Sequence, residues 1–214
     1  MTLIPPKSPL FIVFDGMDGT GKTTQMKHLA ARLRDAGVPV FITAEPSDSE
    51  DGRRLRRALS GKEPAGNSRL AALFLLDRIG HNEEIAAHLA AGETVLCDRY
   101  YYASMAYQGA GDAFDWVAHM NLGCPDIRRP DGCILFDMEP KESMARILGG
   151  RTADQLEIYE TTAQQEAIRA RFHRIRDLLE GRDHMITVNA AGRIEEVTDR
   201  VLDAYERIRA AAEM

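Results

Sequence analysis

Residues 16–23 read Gly-Met-Asp-Gly-Thr-Gly-Lys-Thr, a full match to G-x-x-x-x-G-K-[ST]. The preceding run, Leu10-Phe11-Ile12-Val13-Phe14, has the unbroken apolar character of a strand buried on both faces of a parallel sheet. After the motif, Met26, Leu29, Ala30 and Leu33 fall at helical spacing. Strand, glycine-rich turn and helix in that order make a cradle for phosphate: the glycines let backbone N–H groups close around the oxygens, and the helix N-terminus faces the negative charge. Lys22 is suited to reach β- and γ-phosphates, and the Thr23 hydroxyl to ligate Mg²⁺. A nucleoside triphosphate is the expected ligand, bound by Gly16, Met17, Asp18, Gly19, Thr20, Gly21, Lys22, Thr23 and Thr24.

Four further short apolar runs, Val38 to Thr43, Thr94 to Cys97, Cys133 to Phe136 and Met185 to Val188, are separated by stretches mostly long enough for crossover helices. The pattern predicts a doubly wound α/β fold with a parallel sheet. Helices are expected from about Ser68 to Ala91, from about Tyr159 to Glu180, and through Ile194, Val197, Val201, Ala204 and Ile208 near the end of the chain. Residues 1–9, with three prolines, read as a ragged lead-in, and residues 10–212 as one domain. Two glycines at 149 and 150 break the helical period after Arg146, which permits a mobile lid over about 147–158.

Composition narrows the partners. A formal net charge of −6 argues against a protein that coats nucleic acid, a mode that depends on excess Lys and Arg. Cys97, Cys124 and Cys133 lack zinc-site spacing and leave one over in any disulfide scheme, so reduced thiols in a cytoplasmic protein are expected. No apolar run approaches a membrane span. A switch GTPase would need D-x-x-G after the third strand and N-K-x-D for guanine; Asp98 is followed by Arg99 and Tyr100, and no lysine stands in N-K-x-D.

Asp98-Arg99-Tyr100 lies at the carboxyl end of a predicted strand, where ligands bind in open α/β sheets. Asp98 can hold Mg²⁺ there, directly or through water, or it can pair with Arg99. Ser104, Tyr107 and Gln108 share one helical face, as a solvated polar face or as a hydrogen-bonding wall. Phe74, Arg78 and His81 share another, joining an aromatic plate to a guanidinium; alone, such an aromatic reads as core.

Together these segments resemble the thymidylate kinases over nearly the whole chain, Phe11 to Val201. The resemblance is carried by Phe14 to Thr24, by Thr43-Ala44-Glu45-Pro46, by Leu73-Phe74-Leu75-Leu76-Asp77-Arg78, and above all by Asp98 to Gly109. It implies a P-loop NTPase-type fold, a five-stranded parallel sheet with helices on both faces and a short lid, and commonly a homodimer. It also implies that Phe74 stacks on thymine, that Arg78 and Ser104 meet its polar edge, and that Arg99 holds the acceptor phosphate. Tyr107 would lie against the sugar, Asp18 would face the 3′-hydroxyl or a metal-bound water, Tyr159 with Glu157 and Glu160 would border the acceptor, and Gln108 would stand near the base. Ala44 replaces an arginine frequent in relatives, leaving Arg53 or Arg56 to supply that phosphate contact, and Ala103 replaces the first residue of a Ser-Ser or Ser-Thr pair.

The reaction implied is transfer of the γ-phosphoryl group of ATP to dTMP, with Mg²⁺, giving dTDP and ADP. Some thymidylate kinases carry an arginine inside the P-loop where this chain has Gly19, and others supply it from the lid; Arg151 is then the candidate catalytic arginine, with Arg146 in reserve and a solvated surface role as the alternative. Lys22, Arg99, Arg151 and Asp18 form the expected catalytic set. A kinase of another nucleoside monophosphate, or of a deoxynucleoside with Glu45 as base, is the rival enzyme, and a nucleotide-binding regulator without turnover the rival from another class.

Overall fold

The computed structural model of the chain describes residues 3–150 and 161–214. Five strands, β1 Phe11–Gly16, β2 Val40–Ala44, β3 Thr94–Asp98, β4 Gly132–Asp137 and β5 Met185–Asn189, form one parallel sheet in the order β2-β3-β1-β4-β5. β1 is central and buried along its whole length, which is why it reads as an unbroken apolar run. Its connection leads outward to β2, whereas that of β3 leads across to β4. The neighbours β1 and β3 therefore flank a topological switch point, with a crevice above their carboxyl ends.

Eight helices occur among the described residues: α1 Lys22–Asp35, α2 Glu50–Leu59, α3 Asn67–Ala90, α4 Tyr101–Tyr107, α5 Ala113–Leu122, α6 Pro140–Gly150, α7 Thr162–Leu178 and α8 Ile194–Ala212. α1 packs on α8 against one face of the sheet; α3, α4, α5 and α7 pack with one another on the other, the arrangement that right-handed crossovers produce. The main core runs from Leu10 through β1, β3 and β4 to Ile208 of α8. A smaller cluster of Leu55, Ala58, Leu70, Leu73 and Phe74 joins α2 to α3.

Two expectations need correction. The lead-in is not ragged from residue 3 onward: Leu3 is buried in the main core, and the N–H groups of Ile4 and Lys7 donate to Glu206 of α8 and to Glu213 just past its end, at 3.2 and 3.1 Å. The glycines at 149 and 150 do not end the preceding helix near Arg146, because α6 continues through both. A helical glycine costs only about 1 kcal/mol against alanine, and Ile147, which is buried, anchors that last stretch. Residues 147–150 of the expected lid are thus helical, while 151–158 lie outside the described residues. The helix expected from about Tyr159 starts at Thr162, where the Thr161 hydroxyl accepts from the N–H of Gln164.

α2 has no counterpart among the helices expected from the sequence. Ser49 caps it, accepting from the N–H of Gly52 at 3.0 Å, and Glu50 and Asp51 fill its first turn. Asp77 of α3 holds the approach from below, accepting from the N–H of Ser47 and the hydroxyl of Ser49, both at 2.8 Å. A Cβ on Gly52 would fall inside van der Waals contact of the Ser47 carbonyl. Gly52→Ala is accordingly expected to destabilise the protein by about 1–3 kcal/mol, the cost of overpacking a tight site; an unchanged denaturation midpoint would show that the loop relaxes freely.

Candidate functional site

Two cavities meet at the carboxyl ends of β1 and β3. The larger, about 650 Å³, is walled by Asp18, Lys22 and Thr23 of the phosphate loop and α1, by Phe74 and Arg56 from α3 and α2, and by Asp98, Arg99, Tyr107 and Gln108 after β3. The smaller, about 410 Å³, shares Gly19, Gly21 and Thr24 with it and is closed by Arg146, Arg193, Ile194 and Val197. The phosphate loop is thus the partition between two chambers, each roomy enough for part of a small ligand.

The loop is held in a shape set by positive φ at Gly16, Gly19 and Gly21, and the Thr20 hydroxyl donates to the Met17 carbonyl at 2.9 Å. Lys22 curls back over it, its Nζ donating to the carbonyls of Gly16 and Met17 at 3.1 and 2.7 Å. Burial lowers the pKa of Lys22, and Arg99 adds to that, while Asp98, Asp18 and Asp15 oppose it. From the other side, α6 presses on the loop: the Ser143 hydroxyl donates to the Asp18 carbonyl at 2.7 Å.

Facing the loop, Arg99 donates to Asp18 in a short ion pair and reaches the Tyr107 hydroxyl at 3.4 Å, with its guanidinium 4.9 Å from the centre of the Tyr107 ring. Tyr107 donates in turn to the other Asp18 oxygen at 2.8 Å. Burial works against the Arg99 charge, but Asp18 above all, with Tyr107, Asp15 and Asp98, outweighs it and raises the pKa. Beside them the Thr23 hydroxyl donates to Asp98. That pair of hard oxygens suits a small divalent cation carried in largely by phosphate and water; among the described residues no cluster of three His, Cys, Asp or Glu could hold a metal by itself.

Beneath the larger cavity lies a second buried group of charges. Arg78 donates through Nε and Nη2 to one oxygen of Glu45 at 2.9 and 2.6 Å, to Asn121, and to the Ser104 hydroxyl at 3.2 Å. His81 contacts the other Glu45 oxygen at 3.2 Å and Thr43 at 2.7 Å. Arg78 and Ser104, expected to meet the base, are both 1% exposed and neither lines the larger cavity; their neighbours Phe74, one turn before Arg78, and Ala103 do. Gln108 ends α4, its carbonyl accepting from Asn67 at 2.6 Å.

Of the residues singled out from the sequence, Asp18, Gly19, Gly21, Lys22, Thr23, Thr24, Phe74, Asp98, Arg99, Tyr107 and Gln108 line the larger cavity. Gly16, Met17 and Thr20 are buried in the loop behind it. Arg56 also lines the cavity, whereas Arg53 turns to the Asp48 carbonyl. Arg146 lies in the smaller chamber, donating to the Ala190 carbonyl at 3.3 Å. Arg151, Glu157, Tyr159 and Glu160 lie outside the described residues. Asn121, Arg193 and Ile194 join the site without having been marked for it by the sequence; Asn121 sits in a helix with no local motif to single it out.

The sequence profile of the family described as Thymidylate kinase matches residues 14–201. The chain belongs to the thymidylate kinase family. Relatives agree along most of its length. A probable thymidylate kinase of Pyrococcus horikoshii is 40% identical over 195 residues, 87% of this chain and 91% of that protein. One of Methanococcus aeolicus is 36% identical over 90% of this chain and 93% of its own. A thymidylate kinase of Leptospira interrogans is 34% identical over 79% and 82%. Among the described residues no helix is long and apolar enough to cross a membrane.

At Gly19, where an arginine would stand in the alternative P-loop arrangement, this chain has α6 pressed against the loop. A Cβ there would sit 2.6 Å from the Ser143 carbonyl and 2.9 Å from Ile147, at a φ of +72°. Gly19→Arg is therefore expected to displace α6 and cost about 1–3 kcal/mol of stability, read as a lower melting temperature. A Gly19→Arg protein as stable as the parent would mean that α6 is not seated on the loop.

Proposed function

We infer that the chain is a dTMP kinase: it transfers the γ-phosphoryl group of ATP to dTMP, releasing dTDP and ADP. The observation that carries this reading is the pairing of a complete phosphate loop with Arg99, Tyr107 and Phe74 across one cavity, in a chain of this family. ATP phosphates lie along the loop, with Lys22 exchanging the carbonyls of Gly16 and Met17 for β- and γ-oxygens. The smaller chamber, flanked by Ile194 and Arg193, takes the nucleoside end of ATP. On the acceptor side Phe74 covers the base and Gln108 stands near it, with Arg78 and Ser104 buried next to Phe74 and Ala103; Tyr107 lies against the sugar. Arg99 holds the acceptor phosphate, and Arg56, rather than Arg53, stands in for the arginine missing at Ala44.

The nucleophile is an oxygen of the acceptor phosphate, ionised near neutral pH because the second pKa of such a phosphate is about 6. It attacks the γ-phosphorus, the bond to the β-γ bridging oxygen breaks, and ADP leaves with that electron pair. No side chain needs to take a proton from the nucleophile, and the residues act by position and charge. Thr23 and Asp98 would hold Mg²⁺, which supplies neutralisation of the phosphate oxygens. Asp18, released from Arg99 by the incoming phosphate, faces the 3′-hydroxyl or a metal-bound water. Tyr159, outside the described residues, is the further residue we propose to border the acceptor. Deoxynucleoside phosphorylation is disfavoured, because the candidate base Glu45 is buried and its oxygens are engaged by Arg78 and His81.

The protein pairs with a second copy through α3, where Ala72 and Leu76 are exposed, Leu76 at 49%, and Leu75 and Ile79, partly packed on the main core, lie at helical spacing beside them. Such an apolar stripe at helical spacing suits a homodimer; Leu76→Glu is expected to shift sedimentation to a monomer, and an unaltered dimer would move the interface elsewhere.

With Mg²⁺·ATP and each common monophosphate supplied in turn, dTMP is expected to be the preferred acceptor, and Lys22→Ala to lose turnover in a folded protein. Preference for another monophosphate, or near-normal turnover in Lys22→Ala, would overturn the reading. Arg151 supplies the arginine that closes on the transferred group, since Gly19 leaves that place vacant. Arg151→Ala should lower kcat at least about a hundredfold with a modest change in ATP affinity, cautious against the ~10³–10⁵ such arginines contribute. A kcat within a few-fold of the parent's would move the role to Arg146.

A further inference from the structure

A fully buried carboxylate at the end of β1, Asp15, stands beside the site without a part in the reaction as derived above. Asp15 is 0% exposed, in a position where a central strand ordinarily presents an apolar side chain. Its two oxygens take N–H groups from two separate segments. Oδ1 accepts from Gly16, the first residue of the phosphate loop, at 2.9 Å. Oδ2 accepts from Tyr100 at 3.3 Å and from Ala103 at 2.9 Å, both in the segment after β3 that carries Arg99. α4 has no hydrogen bond from the side chain of its own cap residue, Tyr100, so Asp15 caps it from another strand.

Arg99 sits at φ 71°, the only non-glycine residue at positive φ among the described residues. For a side chain of that size the left-handed region costs about 1–2 kcal/mol, and it persists where the surroundings fix it. The fixing groups are adjacent: Arg99's own N–H donates to the Phe14 carbonyl at 2.9 Å, and the next N–H along the chain goes to Asp15. The turn that aims the guanidinium into the cavity is thus bolted to β1 from both sides. Burial pushes the Asp15 carboxyl up to about 6, against the pull of Arg99 and the Gly16 N–H, so holding this group ionised carries a cost that an apolar residue would avoid.

We propose that Asp15 is a positioning residue for phosphoryl transfer: one carboxylate ties the phosphate loop to the Arg99 turn and so sets the spacing between donor and acceptor phosphates. The proposal rests on the dTMP kinase reading. Asparagine has the same shape but only one accepting oxygen, and its NH₂ would confront N–H groups on the other side, so one of the two segments loses its anchor.

The test is a double-mutant cycle of Asp15→Asn with Arg99→Ala, reading kcat with dTMP, ATP affinity and melting temperature. Asp15→Asn is expected to lower kcat at least about tenfold with ATP affinity changed less than about threefold, since a displacement near 1 Å can cost ~10²-fold in rate. In the Arg99→Ala background the same change should alter kcat by less than about twofold, because the group it positions is gone. A purely structural carboxylate would lower kcat by the same factor in both backgrounds. That outcome, or an Asp15→Asn kcat within about twofold of the parent, overturns the proposal. If Asp15→Asn does not fold, Asp15→Ser, which keeps an oxygen for Gly16 but is too short to span to Tyr100 and Ala103, goes through the same cycle, and the same results support or overturn the proposal. Parent turnover of dTMP is measured first: its absence overturns the functional reading and this proposal with it, whereas parent turnover with an unaffected variant overturns this proposal alone.

Discussion

Phe14 stands opposite Asp98 in the β1–β3 ladder, and the geometry of the site descends from that register. β3 ends at that pair and passes into the Arg99 turn, while β1 runs on to Gly16 beside β4 before it becomes the phosphate loop. Both leave at the same edge of the sheet, at the point where the connections diverge. Parallel strands lie about 4.8 Å apart, so the two phosphate-handling segments are neighbours by construction. The N–H of Arg99 donating to the Phe14 carbonyl extends the ladder into the site itself.

The charges of the site are paired with one another in the absence of ligands. Lys22 rests on loop carbonyls, Arg99 on Asp18, and Thr23 on Asp98. The oxygens that hold Lys22 and Arg99 are ones that phosphate oxygens can replace, so both positive groups stay oriented without being left unpaired beside a half-buried cavity. Arg78 differs. Glu45, Asn121 and Ser104 hold it 1% exposed, with His81 on the other Glu45 oxygen.

Much of this was legible in the sequence. The five apolar runs became the five strands within a residue or two; β1, β3 and β4 are buried along nearly their whole length and so leave no polar positions to blur the signal, while the edge strands β2 and β5 keep the run although partly exposed. The phosphate loop declared itself through glycines whose φ values no other residue adopts easily. What escaped was non-local. α2 is short and arginine-rich, and its cap at Ser49 was the one signal that could have found it. That Arg78 and Ser104 lie beneath the cavity depends on how α3 packs against α4 and α5. Asn121 and Asp15 owe their places to partners 43 and 85 residues distant, which no periodicity reports. The helical run through Gly149 and Gly150 departs from the expected break because glycine lowers helix propensity without forbidding a helix.

On the dTMP kinase reading the protein acts by placing two phosphates in line, with no covalent stop on the enzyme. The stereochemical course at phosphorus measures this directly. With ATP made chiral at the γ-phosphorus by oxygen isotopes, one direct transfer to dTMP must invert configuration, and inversion is the result predicted. Retention would require two successive displacements through a phosphorylated side chain, and would contradict the in-line mechanism at its centre.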